Sequence, residues 1–499
     1  MAPRRHYSFL SLMTTMAYFA KLRNTPGKTR FVLICASLIH VLAFAVTLGP
    51  TEVRAAGVPA NFEPAFSVCA TPVPSNEEKL LRADQKKYES LVAPLLSKQR
   101  NLNDPVSAQS KSIDATLRPI QVKLLRVLER LECVRLKGLS DPLAIGPNGV
   151  PVRGSSGVEP NFVELRINYV TDRLKESDPV KVARNDPNEY FSGTLDADFK
   201  DFSFGKVAVT IPTQRNPGEL NLPSGWAFVG EPDSSRYFVI RSVEEGTRLA
   251  LFNELNESGA NNDSTLLLFV HGFNVSFSEA AMRTAQLAHD LQFPGKVMLY
   301  SWPSAGKVSE YWQDEESARI STPRFRKFLA DVLKTKITRV FIVAHSMGTR
   351  IVIPALPTLA EQGADVSKVS ELMLAAADFN VIEFKELAAD FAKLREQGTR
   401  LTIYSASNDF ALQTSRWIHS YRRLGESDPS LIIFKGLDSV DASVASTFRR
   451  AFGHSYVSDS SQVISDMQHV VLRALAPPAR GLLPIPDTIN HGWKLPKVQ

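Results

Sequence analysis

Cysteine is scarce in this chain, with three in 499 residues. No spacing of His, Cys, Asp and Glu reads as a metal site, no cofactor is implied, and no segment repeats. A phosphate loop is missing too. Pro303-Ser304-Ala305-Gly306-Lys307 has the look of one, but the earlier glycine position is Ser301 and Val308 follows the lysine, so the pattern fails twice. Nor does the body carry an excess of charge. Of 58 basic and 52 acidic residues, positions 1–55 hold seven basic and one acidic, Glu52, which leaves 51 of each elsewhere. A nucleic-acid partner wants a basic surface, and this balance gives no sign of one. At 44% hydrophobic and 22% charged residues, the composition is that of an ordinary globular protein with room for a large domain and extra modules.

The charge excess belongs to residues 1–55, where basic residues precede an apolar run from Phe31 to Leu48. Gly49-Pro50 and Val53-Arg54-Ala55-Ala56 follow, so a charged stretch, a hydrophobic stretch and a small-residue cleavage site after Ala55 come in signal-peptide order. The run is long for a signal and barely long enough for a span, which makes a membrane anchor over residues 31–48 the alternative. Either reading exports the bulk of the protein, periplasmic or extracellular, because the positive flank stays inside.

Residues 56–138 are expected to form a helical hairpin. The first helix opens at the capping box Ser75-Asn76-Glu77-Glu78 and carries Leu81, Tyr88, Leu91 and Leu95 on one stripe. The second runs from about Ser112 to Lys137 with Ile113, Leu117, Ile120, Leu124, Leu128 and Leu131 in register. Pro94 and Pro119 should kink or interrupt them. An antiparallel pairing brings the start of one helix beside the end of the other. Cys35 falls in the leader, so the available pair, Cys69 and Cys133, sits at that meeting point and predicts a disulfide in an oxidising compartment. A Gly/Pro/Ser-rich linker, 139–160, follows.

From 161 to 476 the pattern is that of a large α/β domain. Segments 163–171, 206–211 and 238–240 read as antiparallel opening strands. Apolar strands near 265–270, 296–301, 339–344, 370–376, 401–406 and 430–434 then alternate with helices near 276–291, 315–335, 347–361, 381–396, 410–420 and 459–475. Such alternation predicts a mostly parallel sheet with helices on both faces. Residues 477–499, with Pro477-Pro478 and Pro484-Ile485-Pro486, read as an extended tail.

One segment of this pattern carries chemistry. The run Phe341-Ile342-Val343-Ala344-His345 stops at Ser346, with Ala344 two residues before it, Gly348 two after, and a helix-compatible stretch beyond. That is the layout of a nucleophile elbow, where crowding demands small residues on both sides. Upstream, the strand 264–270 runs into His271-Gly272-Phe273-Asn274, a place for backbone donors to a developing oxyanion. The candidates are the amides of Phe273 and Met347. A serine needs a base and the base an orienting carboxylate, in the chain order Ser, acid, His. His454, in a turn-like segment before the last helix, is the favoured base among the histidines that follow the serine. Asp409, at the carboxyl end of the strand 401–406, is the favoured acid. Asp378, one strand earlier, is the alternative acid, and Asp438 and Asp441 are weaker; either favoured aspartate could instead cap the helix after it. Trp302, Tyr311 and Trp312 lie near the expected rim as pocket candidates.

Residues from about 160 to 475 resemble the α/β-hydrolase family of unknown function described as esterase/lipase-like. The resemblance rests on Tyr169-Val170-Thr171-Asp172-Arg173, the segment Gly205 to Pro212, and Phe269-Val270-His271-Gly272-Phe273-Asn274. Further support comes from Tyr300-Ser301-Trp302-Pro303-Ser304, Ala344 to Arg350, Ser407-Asn408-Asp409 and Gly453-His454-Ser455-Tyr456. It implies a serine hydrolase with Ser346 as nucleophile and agrees with Asp409 and His454; the family has no settled substrate. The expected activity is cleavage of a small-molecule ester or acyl substrate, with membrane or envelope association through the leader. An acyltransferase or peptidase using the same triad is one alternative, and a catalytically idle envelope-associated binding protein another.

Overall fold

The computed structural model describes residues 77–100, scattered positions between 109 and 127, and 161–497 except 178–189, 223–231, 258–263, 307–309, 420, 446–453, 455 and 487–490. In chain order, α1 (Glu77–Arg100) is followed by β1 (Phe162–Thr171), β2 (Arg173–Lys175), β3 (Phe191–Leu195), β4 (Ser203–Pro212) and β5 (Val239–Gly246). Next come α2 (Arg248–Asn256), β6 (Thr265–Val270), α3 (Phe277–Asp290), β7 (Lys296–Ser301), α4 (Tyr311–Leu333) and β8 (Arg339–His345). After a short 3₁₀ turn the chain continues with α5 (Thr349–Glu361), β9 (Val369–Ala375), α6 (Val381–Glu396), β10 (Arg400–Ser405) and α7 (Phe410–His419). It closes with β11 (Asp438–Asp441), α8 (Tyr456–Asp459), α9 (Ser461–Arg473), β12 (Leu483–Pro484) and β13 (Gly492–Lys494).

Every side chain of β6 is buried, and consecutive ones enter different cores. Leu266, Leu268 and Val270 join one apolar cluster, Leu267 and Phe269 the other. A strand points alternate side chains to opposite faces, so an unbroken apolar run is what a doubly covered strand requires. The first cluster takes its helical share from α2, α4, α5 and α6, the second from α3, α7, α8 and α9. Between them lies an 11-stranded sheet in the order β12-β13-β11-β10-β9-β8-β6-β7-β1-β4-β5. Neighbours from β1 to β13 pair in parallel, while β1–β4, β4–β5 and β12–β13 are antiparallel. The parallel strands therefore all deliver their carboxyl ends to one edge. A separate β2–β3 hairpin stands beside it.

Two expectations are corrected. Residues 431–434 form no strand; the ladder next to β10 is taken by Asp438–Asp441. Ile432 and Phe434 still bury apolar surface on the first core, Phe434 against Phe384 at 4.8 Å between ring centres, so the hydrophobic run is packing without pairing. The tail is not a loose extension either. Ser439–Asp441 pairs with Gly492–Lys494, and Trp493 and Leu495 are buried in the second core. The helix α1 runs on through Pro94. Positions 112, 113, 115, 116, 120, 123 and 127 are helical, in keeping with the second stripe. The hairpin's pairing, Pro119, Cys69, Cys133, the linker and residues 1–55 lie outside the described residues. Among those described, no helix is long and apolar enough to cross a membrane.

Candidate active site

The edge where the parallel strands end is where Ser346 stands, directly after β8. Its backbone is left-handed, with φ at 51°, a conformation that costs a non-glycine residue energy and survives only when the surroundings enforce it. Those surroundings are close. A Cβ on Gly348 would run into the His271 carbonyl and come within 2.8 Å of the Val270 oxygen. One on Gly272 would lie 2.8 Å from Ser346 Cβ and 2.9 Å from His345 Nδ1. The end of β6 and the start of the elbow helix are thus in contact through two glycines, which accounts for the small residue after the serine. Ala344, fully buried, fills the position before it. Thr349 Oγ1 and the Asp378 amide both donate to the Ser346 carbonyl, at 2.6 and 3.3 Å, and lock the turn.

Two backbone amides near the serine are the expected oxyanion donors. Met347 lies in the 3₁₀ turn Ser346–Gly348 that leads into α5, where helix-terminal N–H groups lack intrahelical acceptors. Phe273 follows the His271-Gly272 turn, and its amide donates to no described residue.

His454 Nδ1 faces Asp409, at 2.8 Å from Oδ2 and 3.0 Å from Oδ1. A carboxylate accepts, so the proton sits on Nδ1 and the lone pair on Nε2. Burial alone would weaken the imidazole's hold on a proton, but the Asp409 charge and hydrogen bond outweigh it and raise the pKa above the ordinary 6.5. Asp409 is fully buried and also accepts from the Leu412 amide at 3.0 Å, so it caps α7 while orienting the ring. Neither His454 Nε2 nor the Ser346 hydroxyl makes a hydrogen bond with a described residue. The two sides nonetheless meet through His345, whose ring centre lies 5.0 Å from that of His454 and whose Nε2 is 3.5 Å from the His454 carbonyl oxygen. Burial first, and then the neighbouring His454, push the His345 pKa down to about 3, which keeps that ring neutral.

Asp378 is committed elsewhere. Its carboxylate pairs with Arg350 at 3.0 Å and Arg423 at 3.3 Å, and accepts from the Ser415 and Tyr311 hydroxyls at 2.5 and 3.1 Å. Burial would raise its pKa, but the two guanidiniums reverse that and bring it to about 2. His419 joins the same network through the Tyr311 hydroxyl at 3.2 Å. Asp438 and Asp441 begin and end β11, and the Asp441 carboxylate accepts from the Ser427 hydroxyl and the Ser443 amide at 3.1 and 3.0 Å.

The rim candidates separate by exposure. Trp302 is fully buried, stacked on the His271 ring at 5.1 Å, and donates from Nε1 to the His271 carbonyl at 2.7 Å, so it supports the turn beneath the serine and lines no opening. Tyr311 packs edge-on against Phe273 at 5.0 Å. Trp312, 62% exposed, is the one of the three that presents a large surface to solvent. Sequence reasoning passed over Arg173, Asp314 and His345 as site residues. The first stood inside a segment noticed for family likeness only, and a buried arginine leaves no periodic signature. Among the described residues, no group of three or more His, Cys, Asp or Glu could hold a metal ion.

Residues 248–473 match the model of a family described as "Alpha/beta hydrolase of unknown function (DUF900)". That stretch includes Ser346, Asp409 and His454, and stops short of the opening strands on one side and of β12 and β13 on the other. Comparison with curated proteins and with solved structures finds no match.

Proposed function

We propose that this chain, whose hydrolase domain is an α/β hydrolase of that family of unknown function, is a serine hydrolase acting on carboxylic ester-type substrates. The observation that carries the reading is the His454–Asp409 pair at 2.8 Å beside a serine held in a left-handed elbow. In this mechanism His454 Nε2 takes the proton of Ser346 as the hydroxyl attacks the ester carbonyl. The amides of Phe273 and Met347 receive the oxyanion. Collapse breaks the ester bond, and the departing alkoxide takes the proton back from His454. Water, deprotonated by the same imidazole, then cleaves the acyl-serine and releases the acid. Asp409 holds the ring in its working tautomer throughout and stabilises the imidazolium. Location outside the cytoplasm rests on the leader sequence alone.

A fluorophosphonate probe, followed by peptide mapping, should label Ser346, and Ser346→Ala should lose on the order of a million-fold in ester turnover. Labelling at another residue, or full activity in that variant, would refute the assignment. Product analysis with competing alcohols and amines separates hydrolysis from acyl transfer, and short peptides test the peptidase alternative. Absence of any labelling in folded protein would favour an idle, partner-binding fold.

A further inference from the structure

Arg173, the first residue of β2, is 2% exposed and has no carboxylate within salt-bridge distance among the described residues. A buried guanidinium is costly unless its donors are satisfied. Here each of the five N–H groups can be matched to an acceptor. Nε donates to Ser301 Oγ at 2.8 Å; Nη1 faces the carbonyls of Ser304 at 2.8 Å and Ser192 at 3.3 Å. Nη2 faces the Val275 carbonyl at 2.8 Å and His271 Nε2 at 3.3 Å. The His271 ring is held from both ends, Nε2 also standing 3.1 Å from the Trp302 carbonyl oxygen and Nδ1 2.8 Å from that of Gly272. Burial and the Arg173 charge hold that imidazole neutral.

The same loop is gripped from its other side. Asp314, fully buried in the first turn of α4, accepts from the Asn274 amide at 3.2 Å, the Ala305 amide at 2.7 Å and the Ser304 hydroxyl at 2.5 Å. Ser304 Oγ in turn accepts from the Val275 amide at 3.1 Å. Asn274 is left-handed, with φ at 58°, so Asp314 holds the one residue of the loop whose backbone is strained. The amides of Asn274 and Val275 are therefore taken, while that of Phe273, immediately before them, has no acceptor among the described residues.

We infer that Arg173, Asp314 and Ser304 are positioning residues that fix the 271–275 loop so that the Phe273 amide stays aimed at the oxyanion. The inference rests on the serine-hydrolase reading above. It gives a role to the Thr171-Asp172-Arg173 segment, which that mechanism leaves unused. The guanidinium touches no reacting atom; it acts through the loop.

The test uses the full-length protein and the variants Arg173→Lys, Arg173→Met, Ser304→Ala and Asp314→Asn. Active sites are counted by complete fluorophosphonate titration, so that turnover refers to correctly folded serine only. With p-nitrophenyl butyrate, kcat per titrated site should fall about 10- to 100-fold in both Arg173 variants, less than the loss of a whole oxyanion donor brings, with KM within about threefold. Affinity for a trifluoromethyl ketone, which forms an anionic tetrahedral adduct on the serine, should fall in step with kcat. Amide hydrogen exchange in the 272–276 peptide should quicken. If the Arg173 variants do not fold, Ser304→Ala, which removes one hydroxyl, should show the same pattern at about tenfold. Normal kcat per titrated site in folded variants overturns the inference, as does a kcat loss with unchanged ketone affinity and unchanged exchange. Wild-type protein that neither turns over the ester nor labels at Ser346 overturns the hydrolase reading and this role with it, an outcome distinct from active wild type with indifferent variants.

Discussion

The ends of β9 and β10 occupy equivalent places in the fold, and each delivers a buried aspartate to the same edge of the sheet. Their surroundings differ. Asp378 meets two guanidiniums and two hydroxyls, Asp409 an imidazole and a helix amide. Position alone therefore does not select a catalytic acid. A carboxylate between two permanent cations is neutralised in place, and what it gives is a rigid joint linking α4, α5 and α7. A carboxylate whose cation forms only when its partner takes a proton can instead work during a reaction cycle. On the proposed mechanism, one residue type serves cohesion and chemistry a strand apart.

The contrast is broken or sharpened most directly by matched substitutions. Asp409→Asn keeps the acceptor for the Leu412 amide but favours the wrong imidazole tautomer, and turnover per titrated site should drop about 10⁴-fold with little change in thermal stability. Asp378→Asn should do the reverse, because it removes the carboxylate paired with Arg423 and one of the two paired with Arg350, the other being Glu315. Chemical denaturation should show a loss on the order of 3 kcal/mol, while turnover per titrated site stays within about tenfold of wild type. A folded, stable Asp378→Asn enzyme without activity would erase the distinction.

Smaller effects lie in pH dependence. Catalysis needs His454 neutral, and its pKa is raised, so kcat/KM should climb with pH through a midpoint above 6.5 and then level off. Asp409→Asn removes the charge and weakens the hydrogen bond that chiefly oppose burial, and should move that limb downward. Asp378→Asn should move it the same way by less, since its charge acts on His454 from farther off. The smallest effect is acid stability. A group whose folded pKa is depressed stabilises the native state above its unfolded value and loses that contribution as pH falls through the folded one. Asp378 should thus cost stability as pH drops from 3.8 toward about 2, and a denaturation series in the Asn variant should lack that decline.

Ser346, His454 and Asp409, the proposed nucleophile, base and acid, were readable because each stood where a strand of one period gave way to a turn or helix, and because Ser346 needs small neighbours. The paired bonding of His454 with Asp409 agrees with the order rule that singled them out. What escaped sequence reading was set by partners distant in the chain. Residues 431–434 have the composition of a strand, yet whether they pair depends on which segment reaches β10 first. The tail looked extended because of its prolines, although Trp493 had a core to enter. Arg173 finds its acceptors 19 to 131 positions away, a distance no local pattern reports. Pro94 within α1 shows the converse, a local rule that its helix tolerates.

That late pairing of β13 with β11 has a consequence for how the molecule is made and handled. Until residues 492–494 arrive, β11 is an open margin with unsatisfied backbone groups, one strand away from the strand that leads to Asp409. A version ending at residue 481 would keep the proposed triad in its sequence and still be expected to stick to its own copies, so any tag or trimming belongs outside that closing ribbon.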